Sequence, residues 1–385
     1  MANTLTDVIP ILYEALDIVS RELVGIIPSV SRDSSADRAA VNETVNSFIV
    51  PAVALENITA GDLPADSGDT VLGNVTLTIS KARAAPVRWT GEEQRGVRNS
   101  GQLNAIQRDR FVQSMRALTN EVEADLAGEY IRASRAYGTA GTTPFGTDLT
   151  EVAEIRKILA DNGAPIDGNL HLAMDTSAGA NLRSLTQVTD VNRAGSDDPL
   201  RRGALLDIHG FQLRESAGIK AHSAGSVTGT VTVTGAEAIG STAIGVTTAS
   251  GASVSLAAGD VVTFGGSDKY VVATAVTIGA STTGTITIAE PGLRVALAGS
   301  ETVAAIASFR ANMAFHRSAI HLVTRAPAMP DGGDAADDVM EITDPVSGLA
   351  FQVALYRQYR RVKYEIGLAW GVKAVKPAHM ALLLG

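Results

Sequence analysis

The chain carries six histidines, His171, His209, His222, His316, His321 and His379, and no cysteine. Disulfides, thiolate metal sites and a cysteine nucleophile are therefore excluded. Zinc sites built on a helix place two imidazoles four residues apart beside a glutamate. No pair here has that spacing, and His316 and His321 stand five apart, so the six read as surface or hydrogen-bonded core histidines. DGGDAADDVMEITD, residues 331–344, gathers six carboxylates, the hard oxygen ligands that calcium takes. The EF-hand spacing is absent, which leaves a solvated acidic loop, or a point of repulsion or counterion binding where several copies converge. GGSDK lacks the spacing of a phosphate-wrapping loop, GTAGTTPFG lacks the dinucleotide fingerprint, and no G-x-S-x-G elbow occurs.

Two basic clusters, Arg95/Arg98 with Arg108/Arg110 and Arg357/Arg360/Arg361/Lys363, could contact phosphate, but such charges more often answer neighbouring carboxylates. No nucleophile, base and oxyanion donors assemble into a catalytic set. The sequence therefore argues against an enzyme and assigns no catalytic, cofactor-binding or metal residue. The net charge of −9 gives no global basic footprint for nucleic acid, and aromatics at 4% leave little for a base-stacking platform.

The elements that would position these residues are unusual in kind. At 385 residues the chain has room for two or three folding units. Its first segment places Leu5, Ile9, Leu12, Leu16, Val19, Leu23 and Ile26 at three- and four-residue steps and carries internal charges. This predicts an amphipathic helix, facing the core or laid on a neighbouring subunit, and neither a signal peptide nor a membrane span. FIVPAVALENIT reads as extended, and VTLTIS alternates as one arm of a long β-hairpin. From Leu103 to Ala136 the stripe Phe111, Met115, Leu118, Val122, Leu126 and Tyr130 predicts a helix, about 50 Å long at 1.5 Å per residue. A helix of that length implies an elongated subunit. DLTEVAEIRKILADNG, LHLAMD and SAGANLRSL then read as helix, buried strand and short helix, giving an α+β or α/β host.

Between Ser223 and Ser300 the only charged residues are Glu237, Asp260, Asp268, Lys269, Glu290 and Arg294. Short β-branched runs separated by Gly-containing turns predict a small all-β barrel or sandwich, inserted into a discontinuous host.

In this order of elements the chain resembles the major capsid proteins of tailed bacteriophages, the Hong Kong 97 fold. More narrowly it resembles the Salmonella-podovirus-type coat proteins, whose axial domain is interrupted by a β-barrel I-domain. HGFQLRESAGI at 209–219, AAGDVVTFGG with its Gly259-Asp260 turn, RSAIHLVTRAPAMP and GLAWGVKAVKPAHMALLLG carry the likeness. Between Val233 and Val254 there is little room for the long charged loop that some relatives extend toward a neighbouring capsomer.

The resemblance implies an α+β fold with an N-terminal arm at 1–54, an E-loop hairpin at 55–90, and a spine helix with the peripheral domain at 91–137. It further implies an axial domain at 138–221 and 304–385 around an inserted barrel at 222–303, with Gly96 and Gly101 as hinge candidates. It implies self-assembly as hexamers and pentamers into an icosahedral virion shell, built in the bacterial cytoplasm. The implied partners are a scaffolding protein, a portal and packaged dsDNA held by weak non-specific contacts, with a decoration protein left open, no cofactor and no membrane. The alternative is a secreted or cell-surface, adhesin-like β-rich binding protein, suggested by the Thr/Gly/Val tract.

Overall fold

The computed structural model describes residues 9–19, 24–49, 73–99, 103–190, 207–344 and 347–385. One sheet is organised by the 14-residue strand Arg361–Ala374. Along one edge it pairs with Lys81–Thr90, from Trp370 opposite Lys81 to Arg361 opposite Thr90. Along the other, Ala350–Gln358 takes its first half and Ile320–Pro327 its second. Ser31–Ala39 extends the sheet in parallel to Ile320–Pro327, and Asp338–Thr343 pairs with Ala350–Gln358.

Helix α1 (Ile9–Val19) packs on α3 (Leu103–Gly128), which lies on this sheet. Between them in sequence, α2 (Gly91–Asn99) follows strand Lys81–Thr90 directly. The stripe Phe111, Met115, Leu118, Val122, Leu126 and Tyr130 is buried throughout, as its spacing predicts. The carboxylates of α3 and of the turn that follows it are placed less simply. Glu121, Asp125 and Glu129 recur every four residues and meet the sheet. Lys81 Nζ donates to Glu121 at 3.0 Å and Asp125 at 2.8 Å, Trp370 Nε1 donates to Asp125 Oδ2 at 2.9 Å, and Ala374 N donates to Glu129 Oε2 at 2.9 Å.

Two helix ends differ from expectation. The first helix covers Ile9–Val19, and residues 24–26 lie outside any helix ahead of a 3-10 turn, Ile27–Ser29. The long helix ends at Gly128 in a 3-10 turn, Glu129–Arg132, and Arg135–Gly138 is a strand. Apolar spacing survives the change because the 3-10 turn still points Tyr130 inward. Beyond it, strands Met380–Leu384 and Lys269–Val271 take the hydrogen bonds that a continued helix would have used.

The hairpin also differs in its boundaries. The predicted arm, Gly73–Thr78, pairs antiparallel with Thr44–Ile49, ahead of the 55–90 range, while Lys81–Thr90 belongs to the main sheet. Residues 55–72, the rest of the expected loop, lie outside the described residues, as do Leu5, Leu23, Gly101 and most of FIVPAVALENIT.

The second sheet runs Val303–Ala305, Val261–Phe264, Lys269–Val271, Arg135–Gly138, Met380–Leu384, Phe309–His316, Leu170–Met174 and Phe211–Glu215. Helix α4 (Thr150–Asp161) packs on its central strands. Val152, Ile155 and Leu159 fill a core shared with Leu182 of α5 (Thr176–Ser184), and Asp175 caps α5 by accepting from Ala178 N.

The charge-poor tract forms a barrel-like circuit of strands linked by two isolated bridges, beside a separate three-stranded sheet of Ser226–Thr228, Ser253–Leu256 and Val276–Ile278. Strands Val231–Val233, Ala243–Thr248 and Thr283–Thr287 pair in that order. A bridge from Ile288 to Val272 leads to Lys269–Val271, Val261–Phe264 and Val303–Ala305, and a bridge from Thr302 to Thr232 completes the circuit. Alternate residues Val231, Val233, Ile244, Val246, Ile286 and Phe264 fill its own core. The barrel is nevertheless joined to the host by strand pairing, with Tyr270 opposite Arg135 and Lys269 opposite Ala136.

Candidate assembly surfaces

Two buried carboxylates join parts of the chain that are distant in sequence. Glu123, 3% exposed near the C-terminal end of α3, accepts from Ile26 N at 2.8 Å, Ile27 N at 3.0 Å and Ser216 Oγ at 2.6 Å. It thereby supplies the acceptor that the first N–H groups of the 3-10 turn lack. Burial pushes its pKa up, against the pull of the Ser216, Ile26 and Ile27 hydrogen bonds.

Asp260, 1% exposed, sits at the seam between barrel and host. His222 Nε2 lies 2.7 Å from its Oδ1, and His222 Nδ1 lies 2.7 Å from the Tyr130 hydroxyl. Gly225 N and Ala257 N also donate to Asp260. The relay thus runs from the end of the long helix, through the entry to the barrel, to the barrel turn. Gly259 precedes Asp260 with φ +92°, and a Cβ there would come within 2.8 Å of Ile131 Cγ2, so the turn accepts only glycine without a shift. Burial would raise the Asp260 pKa, but the His222, Gly225 and Ala257 hydrogen bonds leave it below the usual aspartate value.

The remaining histidines are dispersed. His171 is buried beside Phe315 and Nδ1 has no partner, with burial and then Arg214, Arg317 and His316 holding its pKa down to about 4. His316 Nε2 faces Asp167 at 3.1 Å. His209 takes a turn position with φ 51°, and burial lowers the pKa of His321 and His379. Among the described residues no group of three or more such side chains could hold a metal ion.

Two clefts of about 430 and 390 Å³ lie along the same seam, sharing Ala136, Tyr137, Ser267 and Lys269. Lys269 Nζ donates to Gly138 O, and burial depresses its pKa. Arg294 of the barrel and Arg135 of the host both approach Asp161, each at 3.4 Å. Charge across the seam is spent on joining the two parts.

Of the basic clusters, Arg108 pairs with Glu14 of α1 at 2.7 Å and with Asp109. Arg110 covers the Trp89 ring at 4.0 Å and donates to Arg88 O. Arg357 and Lys363 meet Asp337 and Glu365. Arg95, Arg98, Arg360 and Arg361 are exposed. In the acidic segment, Asp334 accepts from the Tyr356 hydroxyl at 2.5 Å, Asp337 accepts from Arg357 N, and Asp338–Thr343 is a strand. The expected loop is thus confined to residues ahead of Asp338. Sequence reasoning missed both Glu123 and the Asp260 relay. The one available signal was Glu123 standing one residue after the apolar Val122.

No known protein-family profile matches the chain, and no curated protein matches it. Among solved structures it is similar to one from Mycobacterium phage Che8, at 14% identity over 90% of this chain and 85% of that one, with a TM-score of 0.45. It is similar to a chain of the capsid of cyanophage P-SCSP1u, at 11% identity over 92% and 86%, with a TM-score of 0.47. A virus-like particle from Pyrococcus furiosus is similar at 8% identity over 97% and 96%, with a TM-score of 0.42.

Proposed function

We propose that the chain is the coat subunit of an icosahedral shell of the tailed-phage type, with the Hong Kong 97 fold and an inserted barrel. The observation that carries this is the hairpin Thr44–Ile49/Gly73–Thr78. It is a two-stranded sheet that no further strand joins among the described residues. A lone hairpin is marginal in water, and its unpaired edges recruit another chain. Its base is fixed to the body, where Leu77 and Ile79 pack with Val323 and Ala369. A hairpin anchored at one end and joined by no further strand among the described residues is one that a neighbouring copy can complete, and symmetry would repeat that contact. The arm at 1–54, spine at 91–137 and axial parts at 138–221 and 304–385 are the units of this reading.

The partners that follow are other copies as hexamers and pentamers, a scaffolding protein, a portal and packaged dsDNA, with assembly in the host cytoplasm. Its acidic balance suits weak, sequence-independent contact with DNA. Gly96, inside α2 with open space around it, is the hinge candidate among the described residues. A free-standing adhesin module would not share a sheet with its host, as this barrel does. Among the described residues, no helix is long and apolar enough to cross a membrane.

Co-expression with a scaffolding protein is expected to yield closed particles by sedimentation and electron microscopy. Only small soluble species would overturn the reading. The barrel is expected to be a folding unit: residues 222–303 alone should show β-type circular dichroism and cooperative melting. A disordered fragment would count against it.

A further inference from the structure

One corner of the first sheet carries opposite charges side by side. The turn between Ala350–Gln358 and Arg361–Ala374 presents Tyr359, 89% exposed, then Arg360 and Arg361. Gly91 N donates to Arg360 O, and Arg110 donates to Arg88 O, so Arg88 and Arg110 belong to the same corner. Arg88 stands directly opposite Lys363 in the ladder, a like-charge pairing that costs stability in an isolated sheet. Lys363 is answered by Glu365 and the Tyr356 ring. Arg360 holds φ 55°, where glycine would be unstrained.

The acidic segment lies along the neighbouring strand. Asp338 is opposite Leu355, and Asp337 and Asp334 bond to Arg357 and Tyr356. Asp331 and Asp334 are exposed. An exposed aromatic residue and arginines therefore adjoin exposed aspartates at one corner.

The geometry points to a head-to-tail contact between copies of this chain, in which the Arg360/Arg361 corner of one protomer docks on the Asp331/Asp334 segment of the next. This deepens the shell reading and rests on it. Charge complementarity identifies the occupant, since each copy carries both halves, and a heterologous contact whose rotation closes builds a ring. Such a contact orients partners and suppresses wrong ones.

The test compares three charge-reversed chains with the unchanged chain in the same assembly assay: Arg360→Glu/Arg361→Glu, Asp331→Lys/Asp334→Lys, and all four together. Each double variant is expected to lower shell yield by about tenfold, and the fourfold variant to recover most of it, because its two halves again match. If the fourfold variant stays as poor as the doubles, or only the arginine reversal has an effect, the arginines meet something else, such as nucleic acid, and the contact is wrong. Unchanged yields in all three would also overturn it. Where a reversed chain melts well below the unchanged protein, Arg360→Gln/Arg361→Gln and Asp331→Asn/Asp334→Asn are expected to weaken assembly and blunt its salt dependence. No change in either measure would refute the contact. Absence of shells from the unchanged chain would instead sink the shell reading, and this contact with it.

Discussion

Glu123→Ala is expected to destabilise the folded subunit by about 3–5 kcal/mol, read by chemical denaturation. The change strands the N–H groups of Ile26 and Ile27 and the Ser216 hydroxyl around a buried site, and each unsatisfied buried donor costs about 1–3 kcal/mol. The loss should be local first, with residues 24–39 becoming protease-sensitive before α3 does, since the carboxylate joins the arm to the helix. Glu123→Gln keeps one acceptor oxygen and should cost roughly half as much. The pH dependence has a definite sign. Burial raises the Glu123 pKa in the folded state, so its protonation contributes stability that is fully present below the ordinary glutamate pKa. That contribution is lost as pH rises through the raised value. An alanine variant as stable as the parent would show that the arm is held by apolar packing alone.

Asp260→Ala should have an effect of similar size, about 3–5 kcal/mol, because His222, Gly225 and Ala257 all donate to this one side chain. Here the effect falls on the seam. Hydrogen exchange is expected to quicken in Val261–Phe264, Lys269–Val271 and Arg135–Gly138, while the barrel strands Ala243–Thr248 and Thr283–Thr287, held by their own core, keep their protection. The sign of its pH dependence is opposite to that of Glu123. The folded pKa is depressed, so the contribution is present above the ordinary aspartate pKa and lost as pH falls through the folded value. Uniform loss of protection across the whole barrel would mean that Asp260 serves the barrel's own fold.

What the sequence made legible was whatever repeats along a single element. The α3 stripe, the α4 face and the alternating barrel strands bury a periodic set of side chains, and that set can be read without the fold. Ser31–Ala39 could not be read this way. SRDSSADRA has no alternation, and it is a strand because Ile320–Pro327 offers it a backbone edge and Arg325 pairs with Asp33 at 3.0 Å. The hairpin partner was hidden for the same reason, since TVNSFI acquires its register by pairing with Gly73–Thr78, which is not adjacent to it in sequence. Tertiary pairing decided both.

The polar junctions were less legible still. Glu123 looks like one more surface charge on an amphipathic helix, and only the approach of Ile26 and Ile27, almost a hundred residues earlier, makes it a buried acceptor. His222 and Asp260 are 38 residues apart, and Tyr130 is further still, so no local spacing could have linked them. The expectation that the histidines are hydrogen-bonded or surface groups holds for His222 and His316, whereas buried His171 has an unpartnered Nδ1. The barrel's composition announced its strands, but its shared edge with Arg135–Gly138 depends on where the host places that strand.

The shell reading is tested most directly by cryo-electron microscopy of the protein purified after co-expression with a candidate scaffolding protein. The expected result is closed icosahedral shells whose wall is built from this chain, with helix Leu103–Gly128 resolved in the wall and the hairpin Thr44–Ile49/Gly73–Thr78 lying against a neighbouring copy. Particles lacking this chain in the wall, or a hairpin that touches only its own subunit, would contradict it.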